Sequence, residues 1–247
     1  MNIADFLDST YLKTPEQSGL SEAETLEKVI SLARESAENG IFAVMIRPEY
    51  ISEVKKFLAD KNSDLKIGTV IGFHEGISSV EEKLSEAGKA IEDGADELDF
   101  VINYSEYLRG NTVLVKTEFL KCTKLCLQYH KVAKWIIEIA ALNDSQIADL
   151  TKSISTWAEE NFDDNDLSAI FVKSSTGFFE TEDGRPNGAT FEGIKIMLDN
   201  ADKLPVKAAG GVRNHADAVK MIGLGVKRIG TSSALALLKD QSSEEEY

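Results

Sequence analysis

Eight short apolar, β-rich runs recur along the 247 residues, and a longer helical pattern separates each from the next. Phe6 to Asp8, Ile41 to Ile46, Lys66 to Ile71, Glu97 to Ile102, Trp135 to Ile139, Ala169 to Lys173, Val206 to Ala208 and Arg228 to Gly230 are the candidate strands. Alternation of this kind belongs to βα units around a parallel sheet, whose strands are buried on both faces and so read as continuous apolar runs. Eight repeats in this length match a closed (β/α)8 barrel, an α/β fold; an open doubly wound sheet is the alternative.

The helices are marked by their ends. Ser21 with Glu24 forms a capping box, Leu26, Val29, Ile30, Ala33 and Ala37 form one apolar stripe, and Gly40 follows as a stop. A second box, Ser78 with Glu81, precedes a helix ending near Gly94, and Asn143 with Gln146 opens another. Further helices are expected over 48–59, 105–129, 191–200 and 214–223, with a short last one after Ser232. No linker-like stretch divides the chain, so residues 1–239 are expected to form one domain, followed by a flexible acidic tail over 240–247.

Charge and composition narrow the function. Lys plus Arg total 27 against 42 Asp plus Glu, a net charge of -15 with no local basic patch, which argues against nucleic acid as partner. The N-terminal stretch has no positive segment and apolar core of a secretory signal, and no apolar run approaches the ~20 residues that span a bilayer. A soluble cytoplasmic protein without membrane partners is expected. Cys122 and Cys126 lie one helical turn apart and are expected to be reduced thiols. His74, His130 and His215 fall in separate elements without ligand spacing, so no metal site is expected, and neither a dinucleotide fingerprint nor a P-loop is present.

In a barrel, chemistry belongs at the C-terminal strand ends. Those ends carry Asp8 and Thr10, then Asp99, then Lys134 with Glu138, then Lys173, Lys207 and finally Ser232 with Ser233. Lys173 and Lys207 each sit in an apolar strand, where an amine is costly unless paired or neutral. Neighbouring strands lie about 5 Å apart, so two amines at one barrel mouth repel, and the repulsion is relieved if one is neutral. A neutral amine is a nucleophile toward carbonyls. Ala209-Gly210-Gly211-Val212-Arg213 and Gly230-Thr231-Ser232-Ser233, after the seventh and eighth strands, occupy the usual phosphate position of this fold. Ser174-Ser175-Thr176-Gly177 adds donors at the same mouth.

Four blocks in this order resemble the deoxyribose-phosphate aldolase family of class I aldolases: Gly94 to Asn103, Phe171 to Phe178, Val206 to Arg213, and Arg228 to Ser233. The resemblance runs across essentially the whole chain. It implies that Lys173 forms the Schiff base, Lys207 lowers the pKa of Lys173, Asp99 moves protons through water, and Lys134 pairs with Asp99. It also implies that Thr176, Gly177, Gly210, Gly211, Ser232 and Ser233 bind phosphate, that Asp8 and Thr10 lie near substrate hydroxyls, and that no cofactor is needed. The expected reaction is reversible cleavage of 2-deoxy-D-ribose 5-phosphate into D-glyceraldehyde 3-phosphate and acetaldehyde. Another sugar phosphate, or sugar-phosphate binding without catalysis, are the alternatives, and a homodimer is one assembly open to the chain. Some members end in a mobile tyrosine that visits the site, which makes Tyr247 a candidate proton relay. Three features depart from the family pattern: Ile139-Ala140 after Glu138 where a threonine is usual, His74 where a proline is usual, and a longer, charged loop over 178–188.

Overall fold

The computed structural model describes residues 2–61 and 63–239. Eight parallel strands close in sequence order into a barrel: β1 (Leu7–Tyr11), β2 (Ala43–Ile46), β3 (Lys66–Ile71), β4 (Glu97–Val101), β5 (Val132–Ile136), β6 (Ile170–Lys173), β7 (Val206–Ala209) and β8 (Arg228–Thr231). The outer ring comprises α1 (Pro15–Ser18), α2 (Glu22–Glu38), α3 (Ile51–Lys61), α4 (Val80–Asp93), α5 (Tyr104–Leu108), α6 (Thr112–Gln128), α7 (Asp144–Asn161), α8 (Phe191–Asn200), α9 (His215–Leu224) and α10 (Ala234–Leu238). No helix among the described residues is long and apolar enough to cross a membrane. The acidic stretch 240–247 lies outside the described residues.

Closure is made by β1 and β8, with Asp8 opposite Gly230 and Ser9 opposite Thr231. Nearly every strand residue is buried, because the barrel interior covers one face and the helices the other. Phe100 of β4 stacks on Trp135 of β5 at 4.9 Å, and Phe119 of α6 meets Trp135 at 5.2 Å and Trp157 of α7 at 5.9 Å. Burying each such side chain contributes about 1.5–3 kcal/mol. The Trp135 indole N–H donates to Thr123 Oγ1 at 2.9 Å, so its one polar atom is satisfied inside the packing. Cys122 and Cys126 are free thiols on the buried face of α6, and burial pushes both well above the usual range, which leaves them unreactive.

Several boundaries differ from those the sequence suggests, each for a local reason. β1 runs on through Ser9, Thr10 and Tyr11, polar residues that line the barrel mouth and pair with β2. β5 begins at Val132 because its register with β4 pairs Glu97 with Val132 and Asp99 with Lys134; it stops before Glu138, whose φ of 55° is left-handed. The second capping box is Ser79 with Glu82, one residue beyond the overlapping Ser78 with Glu81. The expected helix 105–129 is two, α5 and α6, because Gly110 adopts φ +82° and ends the first. Pro48–Tyr50 forms a 3-10 turn ahead of α3, and α1 is an added turn with its own Thr14–Gln17 box.

Candidate active site

Strand alternation sends every second side chain into the barrel, and inside this one the inward positions carry charge. Asp99 of β4 is the hub. Its Oδ1 accepts from Lys134 Nζ at 2.8 Å, and its Oδ2 accepts from Lys173 Nζ and from Lys207 Nζ, each at 2.8 Å. Lys207 also faces Asp8 Oδ2 at 2.6 Å, and Asp8 Oδ1 accepts from Arg228, with Nε at 2.7 Å and Nη2 closer. Arg228 donates to both oxygens of Glu97 at 3.0 Å, and Lys134 reaches Glu97 Oε2 at 2.7 Å. The contacts close a ring of four cations, Lys134, Lys173, Lys207 and Arg228, around three carboxylates, Asp8, Glu97 and Asp99, all of them buried.

A buried cluster with one surplus positive charge is relieved by losing one proton, and the ring decides which group gives it up. Burial lowers Lys173 to about 8, helped by the Lys207 and Lys134 charges and opposed by Asp99. Burial would also lower Lys207, but Asp8 and Asp99 outweigh it and hold this amine above the usual lysine range. Asp8 is brought down to about 2 because Arg228, Lys207 and Lys134 overcome its burial, and the three lysines hold Asp99 well below the usual carboxylate range. Lys173 is therefore the amine most readily neutral. It lies at the C-terminal end of β6, opposite Lys207 in the β6–β7 register.

Around this centre the loops form the mouth. Thr10, Phe178 and Ser232 line one cavity of about 420 Å³, while His74, Tyr104, Glu138, Gly177, Phe178 and Asn187 are among those lining a second of about 860 Å³. Phe178 stacks on His74 at 5.7 Å, joining the loops after β3 and β6. Gly177, Gly210 and Gly211 all have positive φ, between 74° and 82°. The loops after β6 and β7 approach so closely that a β-carbon on Gly188 would come within 2.4 Å of the Gly210 carbonyl carbon, so only glycine fits there. Ser233 stands at the N-cap position of α10, next to Ser232.

Thus Lys173, Lys207, Asp99, Lys134 and Asp8 come together in one network, and Thr10, Gly177 and Ser232 reach the mouth. Asp8 is turned inward with both oxygens engaged by cations. Thr10 Oγ1 donates to the Asp8 carbonyl, and Thr176 is tied to Glu138. Tyr247 lies outside the described residues. Sequence reasoning missed Glu97 and Arg228 as members of the network. Glu97 stands two residues before Asp99 on one strand, which puts both on the same face, and that spacing was the available signal. Among the described residues, no three His, Cys, Asp or Glu side chains gather as a metal site.

A closed parallel barrel holding a lysine lowered to about 8 at the mouth defines the class of barrel enzymes that work on carbonyl compounds. The chain belongs to the DeoC/LacD family of aldolases, whose family model matches residues 12–241. It is 36% identical to the deoxyribose-phosphate aldolase of Caldicellulosiruptor saccharolyticus over 240 residues, 96% of this chain and 97% of that one. It is 35% identical to that of Thermococcus kodakarensis over 243 residues, 98% of each chain. The solved deoxyribose phosphate aldolase of Aeropyrum pernix, a tetramer, superposes with a TM-score of 0.77 at 31% identity, covering 96% of this chain and 89% of that one.

Proposed function

We propose that the chain is a Schiff-base aldolase that reversibly cleaves 2-deoxy-D-ribose 5-phosphate into D-glyceraldehyde 3-phosphate and acetaldehyde. The observation that carries this reading is the Lys173 amine, lowered to about 8 and held by Asp99 at the end of β6. Neutral Lys173 adds to the C1 aldehyde of the open-chain sugar, and loss of water gives a protonated imine that draws electrons toward nitrogen. As the C3 hydroxyl gives up its proton, the C2–C3 bond breaks and its electrons pass into an enamine, leaving C3 as the new aldehyde. A proton at C2 and hydrolysis then free acetaldehyde and the lysine. The imine is itself the electron sink, so no cofactor is required.

The remaining residues take supporting roles. Lys207, fixed as a cation between Asp8 and Asp99, weakens the hold of Lys173 on its own proton. Lys134 and Asp99 order the charge around the amine and the water that carries protons there. Thr10 serves the sugar hydroxyls, with Asp8 acting behind it by anchoring Lys207. Backbone N–H groups around Gly177, Gly210 and Gly211, with the Thr176, Ser232 and Ser233 hydroxyls, receive the phosphate. Residues 1–239 form the single catalytic domain.

Product analysis tests the reading. Incubation with 2-deoxy-D-ribose 5-phosphate should release equal amounts of acetaldehyde and glyceraldehyde 3-phosphate. Turnover of another sugar phosphate alone would shift the substrate, and tight binding without turnover would make the barrel a binding protein.

A further inference from the structure

Glu138 does more than a structural anchor needs. It follows β5 in a left-handed conformation, φ 55° and ψ 70°, which a long side chain rarely adopts without a reason. The residue is 1% exposed. Oε2 accepts from the Thr176 N–H at 3.1 Å and from the Thr176 hydroxyl at 2.5 Å, tying the end of β5 to the loop that follows Lys173. One oxygen does all of this. Oε1 is buried and has no hydrogen-bond partner among the described residues, and leaving such an atom unpaired is costly.

That free oxygen belongs to a residue lining the mouth cavity. Its surroundings come from every element packed there: Gln17 from α1, His74 and Glu75 from the loop after β3, Tyr104 from α5, Gly177, Phe178, Glu180 and Asn187 from the loop after β6, and the Lys173 ammonium, whose charge acts on the Glu138 carboxyl. Asp99, by contrast, has both oxygens occupied by lysines. Within the network around Lys173 each carboxylate oxygen faces a cation, Asp8 Oδ2 included, through Lys207.

We propose that Glu138 is a catalytic residue whose Oε1 takes the proton of the substrate's C3 hydroxyl as the C2–C3 bond breaks. The inference rests on the Schiff-base aldolase reading. The O–H bond at C3 breaks as its proton passes to Oε1, the oxygen electrons form the C3 carbonyl, and the C2–C3 electrons enter the enamine. When the aldehyde product leaves, Glu138 releases its proton to solvent. C2 of the enamine takes one from water, so protons balance over the cycle. In the synthetic direction the protonated carboxyl donates to the acceptor carbonyl. Burial raises Glu138 to about 7, against the Thr176 hydrogen bonds and the Lys173 charge, which gives it a basicity suited to accept and return a proton near neutrality.

The test uses Glu138→Gln, whose amide oxygen can still accept from Thr176 while the second atom loses its basicity. Cleavage of 2-deoxy-D-ribose 5-phosphate should fall about 100-fold or more in kcat, in the range of general acid–base contributions, with KM changed only a few-fold. The half-reaction with acetaldehyde alone involves no C3 hydroxyl. The variant should therefore keep both borohydride trapping on Lys173 and methyl-proton exchange with deuterated water within about threefold of the parent, as expected if the group acts only on that hydroxyl. Parallel loss of cleavage and exchange would make Glu138 a structural anchor and overturn the proposal, as would unimpaired cleavage. Failure of the parent protein to trap acetaldehyde would instead overturn the Schiff-base reading. Glu138→Asp, which keeps a carboxylate on a shorter arm, should retain more cleavage activity than the glutamine variant, and the reverse order contradicts a base.

Discussion

Replacing Lys207 by methionine removes one cation from the ring without stranding a carboxylate, since Arg228 still holds Asp8 and Lys134 still holds Asp99. The parent ring has four cations and three carboxylates, so it becomes neutral when Lys173 loses its proton. The variant ring is already neutral with Lys173 charged. With Lys207 gone, the repulsion that helps lower Lys173 disappears and Asp99 Oδ2 turns wholly to it. The pKa of Lys173 should rise from about 8 toward the ~10.4 of a free lysine. At pH 7.5 a group of pKa about 8 is roughly a quarter neutral, whereas one of pKa about 10 is roughly 0.3% neutral, so the reactive fraction falls on the order of 80-fold. The sign follows from the chemistry. The neutral amine attacks, so activity lies above the pKa of Lys173, and raising that pKa moves the rising limb of the profile to higher pH. The assay is the rate of borohydride trapping of acetaldehyde, read by intact mass from pH 6 to 10.5. The variant should regain much of the parent rate near the alkaline end. A rising limb left at its original pH, with a uniformly lower rate, would refute the charge argument and leave Lys207 a positioning group.

Two further outcomes follow from other parts of the molecule. Ser232→Asp puts a negative charge at the expected phosphate position, so KM for the phosphorylated sugar should rise at least about tenfold while that for unphosphorylated deoxyribose changes little; equal effects would move the phosphate elsewhere. Lys83 of α4 is fully buried, paired with Glu118 of α6 and donating to the Gly76 and Val101 carbonyls at 2.7 Å. Lys83→Met should cost about 3–5 kcal/mol by leaving Glu118 uncompensated, lowering the thermal midpoint by about 6–20 °C, and adding Glu118→Leu should restore much of it. A single variant as stable as the parent would contradict this account of the pair.

The eight-strand count was legible because barrel strands are covered on both faces and so read as apolar runs with little interruption. It blurred where the mouth begins. Ser9 and Thr10 are strand residues that read as a loop, since function puts polar side chains there, and Trp135 to Ile139 reads as strand beyond the turn that Glu138 makes. The lysines stood out because an amine inside an apolar run is costly. Glu97 and Arg228 did not, because Arg228 meets Asp8 across 220 residues and Glu97 across 131, contacts that exist only once the barrel closes. The role proposed for Glu138 was equally hidden, as it depends on a free oxygen that no spacing reveals.

The central claim is that Lys173 is the amine that bonds to substrate, and reduction of the imine tests it most directly. Sodium borohydride added with 2-deoxy-D-ribose 5-phosphate or acetaldehyde should inactivate the protein, and peptide mapping should place the added mass on Lys173. Mass confined to Lys207 would reverse the two roles, and no covalent adduct under turnover conditions would contradict the mechanism.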